Sequence, residues 1–217
     1  MEKDKIIEMP KSGVEVKLLG GTPLFNKGKK GQGLVIDSEG ISIKGLKITG
    51  SKLINGKQGT VAYWMKPLVS YTEEKGRQYF LSAREYLGDG NQGNGHYVYI
   101  DSPSGGFYFQ TIKDKKWISP HFNFRWWKKP QRSTELWYHV AVTWGPEIAT
   151  TFYINGIAVH KGKKKGSSSA KFDAKTLFVG CSGSGKKSAN ALLDEFYIFG
   201  EILSIENIQA LMADVSK

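Results

Sequence analysis

Along residues 138–144 apolar and polar positions alternate: Tyr138, Val140, Val142 and Trp144 face one way, and His139, Ala141 and Thr143 the other. A period of two over that length predicts a half-buried β-strand rather than a helix. Gly145 and Pro146 end the pattern, and a second run starts at Thr151-Phe152-Tyr153-Ile154. Asn155-Gly156 separates it from Ile157-Ala158-Val159. An Asn-Gly pair between β-branched residues predicts a type I′ hairpin, because both turn residues take positive φ. Three consecutive antiparallel strands follow from this stretch alone.

Elsewhere the same alternation is weaker. Residues 13–19 are a candidate first strand, and 33–36 and 41–43 read as two short strands around a turn at 37–40. Residues 59–66 form a clear strand ended by Pro67, which cannot donate to a ladder. β structure resumes over 79–83, and the glycine-rich stretch 88–95 reads as a mobile loop. Residues 96–100 and 107–110 flank a turn as another hairpin, and strands at 177–180 and 191–199 complete the set. The period changes once. Ser204 sits where an N-cap would, Ile205, Ile208, Leu211 and Met212 share one helical face, and Leu203 can staple to Ile208. The pattern predicts an all-β antiparallel chain closed by a short C-terminal helix.

Composition fits this picture. With 217 residues, 26 glycines and 12% aromatics, the chain suits one larger all-β domain over 1–217, with 1–12 as a tail. No apolar run reaches the 18 residues of a membrane-spanning helix. No apolar stretch follows Met1-Glu2-Lys3-Asp4-Lys5, so no signal peptide is visible. Cys181 is the one cysteine, which rules out an internal disulfide and reads as a small filler at a strand end. The formal charge of +11 favours polyanionic partners: acidic polysaccharide, nucleic acid or an anionic surface. Lysine-rich loops that only keep a β protein soluble are the alternative.

Several of these segments together carry a resemblance. Residues 137–144 (WYHVAVTW) and 152–156 (FYING), with 59–67 (GTVAYWMKP) upstream and 177–180 (LFVG) and 191–199 (ALLDEFYIF) downstream, resemble laminin-G-like, concanavalin A-like domains. The match spans about two thirds of the chain. It implies an antiparallel two-sheet β-sandwich of the jelly-roll kind, a fold that hosts lectins, adhesion modules and a few enzymes. It also implies an extracellular or cell-surface setting, so the chain reads as excised from a larger protein with an added Met1; a cytoplasmic protein is the plain alternative. In similar domains an Asp at the position of Asp194 helps hold a structural calcium. Calcium wants six to eight oxygens, and no second carboxylate ligand stands out. An Asp accepting backbone N–H bonds at a strand end is the other reading. No cofactor is required.

The segment 113–133 holds the strongest candidate chemistry. Lys113, Lys115, Lys116, Arg125, Lys128, Lys129 and Arg132 stand against Asp114 alone up to residue 132, interleaved with Trp117, Phe122, Phe124, Trp126 and Trp127. Indole faces stack on sugar rings, while Arg and Lys pair with carboxylate or sulfate. Aromatics between cations also suit single-stranded nucleic acid, although no nucleic-acid motif is present. Packing of some tryptophans beneath the segment as a satellite core is the structural alternative. The candidate ligand residues are Trp126, Trp127, Arg125, Trp117 and His121, with Tyr86 and His96 beside the glycine-rich stretch. A glycosidase would need two carboxylates at alternate positions of one strand, and Asp194 and Glu195 are instead adjacent. A uronate lyase would need a Tyr or His base and a carboxylate-neutralising group. His96, Tyr97, Tyr99, Gln110 and Arg84 supply those types without the motifs of such enzymes. His96, His121, His139 and His160 show no metal spacing, and His139 reads as a residue of the fold. The reading that results is a non-catalytic, lectin-like module for an acidic polysaccharide in a secreted or surface protein. The alternative is a protein–protein adhesion module that docks another surface protein.

Overall fold

The structure, a computed structural model, describes residues 13–71, 76–87, 91–102, 104–114, 116–118, 133–172 and 174–213, without the side chains of 85–87, 91, 92 and 102. These residues form β1 (Glu15–Leu19), β2 (Phe25–Lys27), β3 (Gln32–Ile36), β4 (Gly45–Thr49), β5 (Gly59–Pro67), β6 (Gly76–Leu87) and β7 (Asn91–Ser102). Then come β8 (Gly106–Lys113), β9 (Lys116–Ile118), β10 (Tyr138–Trp144), β11 (Thr151–Ile154), β12 (Ile157–Lys161), β13 (Thr176–Val179), β14 (Ala191–Phe199) and the helix α1 (Ile205–Ala213). They assemble into two seven-stranded antiparallel sheets. Sheet A runs β1-β4-β13-β6-β7-β8-β9, and sheet B runs β12-β11-β10-β5-β14-β3-β2. The expected sandwich is the fold.

Its core is made by the alternation itself. Tyr138, Val140, Val142 and Trp144 of β10 and Val61, Tyr63 and Met65 of β5 meet Phe80, Val98, Ile100, Phe107 and Phe109 of sheet A, all at most 2% exposed. Each such side chain contributes about 1.5–3 kcal/mol by leaving water. Trp144 is fully buried because its one polar group is satisfied: Nε1 donates to the Asn55 carbonyl at 3.1 Å. The central hairpin forms as the Asn-Gly pair predicts, with φ of 50° at Asn155 and 72° at Gly156. Asn155 also ties the turn to β10, since its Oδ1 accepts the His139 N–H at 2.9 Å.

The helix starts at the predicted cap. Ser204 Oγ accepts the Asn207 N–H at 3.2 Å, and Ile208 and Leu203 pack on Ala62 and Ala141 of sheet B. Small residues on β5 and β10 let the helix approach, and Gln209 Nε2 donates to the Gly156 carbonyl at 3.1 Å. The outer face of sheet B is therefore covered here. Cys181 is a buried free thiol, and burial pushes its pKa up to about 12. A Cβ on Gly45 would lie 2.5 Å from its Sγ, so the cysteine does fill a strand-end gap.

Three expectations are corrected. Residues 41–43 are not a strand: the Asp37 carboxylate accepts N–H bonds from Glu39 and Ile41 at 3.1 and 2.7 Å, folding the chain into a tight loop. Only a single parallel bridge, Ile36 to Ile43, remains. Residues 91–95 are not a loop either but the start of β7, and 88–90 lie outside the described residues. Gly95 pairs with Arg84 and Ile112, and a Cβ there would lie 2.5 Å from the Ala83 carbonyl, so glycine answers a close approach of strands. The third concerns β14. Uninterrupted alternation would put Leu192, Asp194, Phe196 and Ile198 on one face. A bulge between Asp194 and Tyr197, with Glu195 at φ 48°, reverses the facing partway. Ala191 and Leu193 point into the core before it, and Phe196 and Ile198 do so after it.

Candidate functional site: the outer face of sheet A

With Phe80, Val98, Ile100, Phe107 and Phe109 turned inward, the alternate positions of β6 to β9 line the opposite face. Register places Tyr79, Tyr99 and Tyr108 side by side, Tyr97 beside Gln110, and Ile112 beside Trp117. Their rings touch in sequence: Tyr99 stacks on Tyr108 with centroids 5.1 Å apart, Tyr79 lies 5.2 Å from Tyr99, and Tyr97 lies 5.7 Å from Trp117. Tyr97, Tyr99 and Ile112 are buried within this second small core, and Tyr79 and Tyr108 are half-buried. Trp117, on the edge strand β9, is 53% exposed. It is the open end of a fixed aromatic floor.

Cations border the floor. The Arg77 guanidinium lies 4.9 Å from the centre of the Tyr99 ring, with Nε 3.6 Å from the Asp101 carboxylate. Burial pushes the Tyr99 phenol up to about 12, so it stays protonated and donates to Gln110 Oε1 at 3.2 Å. Arg84 stands opposite Gly95, whose missing side chain leaves room for its stem: a Cβ there would come within 3.3 Å of Arg84 Cγ. Nε and Nη2 of Arg84 are buried without a hydrogen-bond partner among the described residues, as is Ser82 Oγ two residues before it. The row through Ser82 continues toward β1, pairing Ser82 with Phe178, Phe178 with Lys47, and Lys47 with Lys17.

Of the residues singled out from sequence, Trp117 lies on this face, with Arg84, Tyr97, Tyr99 and Gln110. Trp126, Trp127, Arg125 and His121 lie outside the described residues, as does the side chain of Tyr86, whose backbone pairs with Gln92 in β6 and β7. His96 is 0% exposed and points the other way, between the sheets, with ring centroids 4.9 Å from Phe109 and Phe172 and 5.1 Å from Trp144. Its Nε2 faces the Gly56 carbonyl and its Nδ1 the Thr111 hydroxyl, both at 3.1 Å. A carbonyl only accepts, so Nε2 carries the proton and Nδ1 accepts from Thr111. Burial lowers the pKa of His96 to about 3. The His–Tyr–Arg–Gln set of a uronate lyase is thus not gathered, because His96 is on the wrong side of the sheet. Tyr79, Tyr108 and Arg77 went unnoticed in sequence, though spacing two apart from Tyr97 and Tyr99 across a hairpin would have found them.

Asp194 lies on the outer side of sheet B, level with Trp64. Its Oδ2 accepts N–H bonds from Lys29 and Lys30 at 2.7 and 2.8 Å, and its Oδ1 accepts from Glu195 N–H at 2.9 Å. Burial, with the Glu195 charge adding to it, raises its pKa in spite of these donors. A Cβ on Gly28 would lie 2.6 Å from Oδ2, so the 28–31 loop closes tightly over the carboxylate. This donor set does not fit calcium: a cation at Asp194 would meet the positive ends of amide dipoles where it needs oxygens. Among the described residues no group of three His, Cys, Asp or Glu side chains could hold a metal. Asp194 anchors a loop.

Two packed antiparallel seven-stranded sheets are the architecture of concanavalin A-like domains. The profile of the concanavalin A-like lectin/glucanases superfamily matches residues 43–209, and the chain belongs to that family, Laminin_G_3. No curated protein matches it in sequence. Among solved structures it is similar to the receptor binding domain of botulinum neurotoxin D, with 17% identity and a TM-score of 0.66 over 93% of this chain and 48% of that one. The serotype D ligand binding domain in complex with N-acetylneuraminic acid gives 19% and 0.67, over 93% and 46%. Domain 4 of an extracellular arabinanase from Geobacillus stearothermophilus, in complex with arabinotriose, gives 17% and 0.64, over 92% and 87%. The chain thus spans about half the length of the toxin domains and most of the arabinanase domain. At such identities the likeness is one of fold. No helix among the described residues is long and apolar enough to cross a membrane.

Proposed function

We propose that the chain is a non-catalytic carbohydrate-binding module that holds an acidic polysaccharide on the outer face of sheet A, as part of a secreted or cell-surface protein. The observation that carries this reading is the aromatic floor ending in Trp117, which is 53% exposed although indole is costly to leave in water. Trp117, backed by the half-buried rings of Tyr79 and Tyr108, offers stacking for sugar faces, and Arg77 at the border offers a cation for acidic groups. Two of the structural neighbours were solved with a sugar bound, N-acetylneuraminic acid in one and arabinotriose in the other. Among the described side chains of β6 to β9 the only carboxylate is Asp101, engaged with Arg77, so the paired carboxylates of a glycosidase are not offered there. Binding without turnover is what this face supports. Trp126, Trp127, Arg125 and His121 follow β9 directly in the chain and are proposed to extend the same surface.

Calorimetry against neutral and acidic polysaccharides tests the reading. Wild type should bind at least one of them, and Trp117→Ala should weaken that binding about tenfold, since base- and ring-stacking on an aromatic is worth roughly 1–3 kcal/mol. The melting temperature should move little, because half of the ring is already in water. Unchanged binding in Trp117→Ala, or no binding across a broad panel, would refute it.

A further inference from the structure

At the far end of the same face lies a second, chemically different feature. Lys17 of β1 and Lys47 of β4 are directly paired in register, so they share one face on neighbouring strands. Like charges in that position repel. With Lys44 they border a depression of about 540 Å³, floored by Phe178 of β13 and rimmed by the 183–185 loop. Lys17 and Lys44 are exposed and Lys47 is half-buried. The described ion pairs are Lys66 with Glu135 and Arg77 with Asp101, and neither reaches the depression. Glu15, two residues from Lys17 on the same face, stands opposite Thr49 and takes part in neither of the described ion pairs. Three cations therefore converge around an open hollow without a counter-charge among the described residues. Gly20 leaves room for the Lys44 stem: a Cβ there would lie 3.3 Å from Lys44 Cγ.

We infer that this depression is an anion subsite, taking the carboxylate or sulfate groups of the polysaccharide whose rings rest at the Trp117 end. This rests on the carbohydrate-binding reading and adds to it a place, a chemistry and a direction. Lys47 and Trp117 are separated by five strand intervals of sheet A, about 24 Å at roughly 4.8 Å each. A single oligosaccharide crossing the strands reaches both, and engagement at two points raises its avidity without any new contact. Phe178 beneath the lysines supplies an apolar floor, so the subsite holds a ring bearing an acid group rather than a bare ion.

The test is the triple variant Lys17→Gln/Lys44→Gln/Lys47→Gln beside a control that removes the same charge elsewhere, Lys163→Gln/Lys164→Gln/Lys165→Gln in the exposed loop after β12. Probes are polygalacturonate (carboxylate only), heparin (carboxylate and sulfate), carboxyl-reduced polygalacturonate (neutral) and a single-stranded oligonucleotide. The depression variant should bind polygalacturonate or heparin about tenfold more weakly, as three surface ion pairs together would give, with circular dichroism and melting unchanged. Loss on heparin alone assigns the hollow to sulfate; loss on both assigns it to carboxylate. Residual binding of the reduced polymer should be unaffected. Equal loss in both triple variants, or none in the depression variant while wild type still binds acidic glycans, would overturn the subsite but leave the module reading standing. No glycan bound by wild type, with oligonucleotide bound through the depression, would overturn both.

Discussion

Acid should destabilise this protein through two buried histidines. His96 is enclosed by Phe109, Phe172 and Trp144, and His139 is 1% exposed and edge-on to Trp64 at 5.2 Å. Burial lowers their pKa values to about 3 and about 4. In the unfolded chain both return to about 6.5. Depressed folded values mean that the unfolded state binds protons first, so stability rises with pH between the two. At pH 5 each imidazole sits about 1.5 units below its unfolded pKa, which at 1.36 kcal/mol per unit costs about 2 kcal/mol relative to pH 7 and about 4 kcal/mol for the pair. Urea unfolding followed by tryptophan fluorescence at pH 7, 6 and 5 measures this directly. Asp194, its pKa raised by burial, contributes with the opposite sign. His139→Gln should halve the slope. Imidazole nitrogen spectra should show His96 as the Nε2–H tautomer throughout. Stability flat from pH 7 to 5, or a His96 that titrates near 6.5 in the folded state, would sink the argument.

Other perturbations separate structural from binding roles. Gly95→Ala puts a Cβ 2.5 Å from the Ala83 carbonyl, a backbone contact that cannot rotate away; overpacking of this kind costs about 1–3 kcal/mol, readable in chemical denaturation. Asp194→Ala leaves the Lys29 and Lys30 N–H groups without their acceptor and should cost about 1–3 kcal/mol. Added calcium should leave the wild-type melting temperature where it was, and a calcium-dependent rise would show that Asp194 had been misread.

How much could be read beforehand follows from how local each signal is. The β10 to β12 hairpins and the cap of α1 were legible because Asn155-Gly156 and Ser204 act on their immediate neighbours. The face of Asp194 was not, because a single extra residue at Glu195 reverses the alternation, and nothing short of the β14–β5 register reveals it. β4 escaped notice since Gly45-Leu46-Lys47-Ile48-Thr49 is short and partly polar, and it is held between β1 and β13 by long-range pairing. Glycine signalled looseness at 91–95 where it marks close approach. At the site, the aromatic alternation of β7 and β8 was visible in the chain. That it converges with Trp117 and, five strands away, with Lys47 is a property of strand order, which the sequence does not carry locally.

The Lys17–Lys47 pair offers a way to tell a functional charge from a solubilising one. A protein that needs charge only for solubility gains by spreading it, whereas these lysines are set directly opposite each other, where like charges repel. Lys47→Glu turns the repulsion into a cross-strand attraction with Lys17. The exchange should stabilise the fold by roughly 0.2–1 kcal/mol, visible as a higher urea midpoint at unchanged slope. The same substitution places a carboxylate in the depression and should weaken binding to polygalacturonate or heparin more than Lys47→Gln does, with the difference shrinking as salt is added. Opposite movement of stability and affinity in one variant is the signature of a site whose local strain is tied to its ligand. If Lys47→Glu stabilises and leaves acidic glycan binding intact, the lysines are ordinary surface charge. If it does not stabilise at all, their repulsion is already relieved by solvent, and the pairing carries no functional weight.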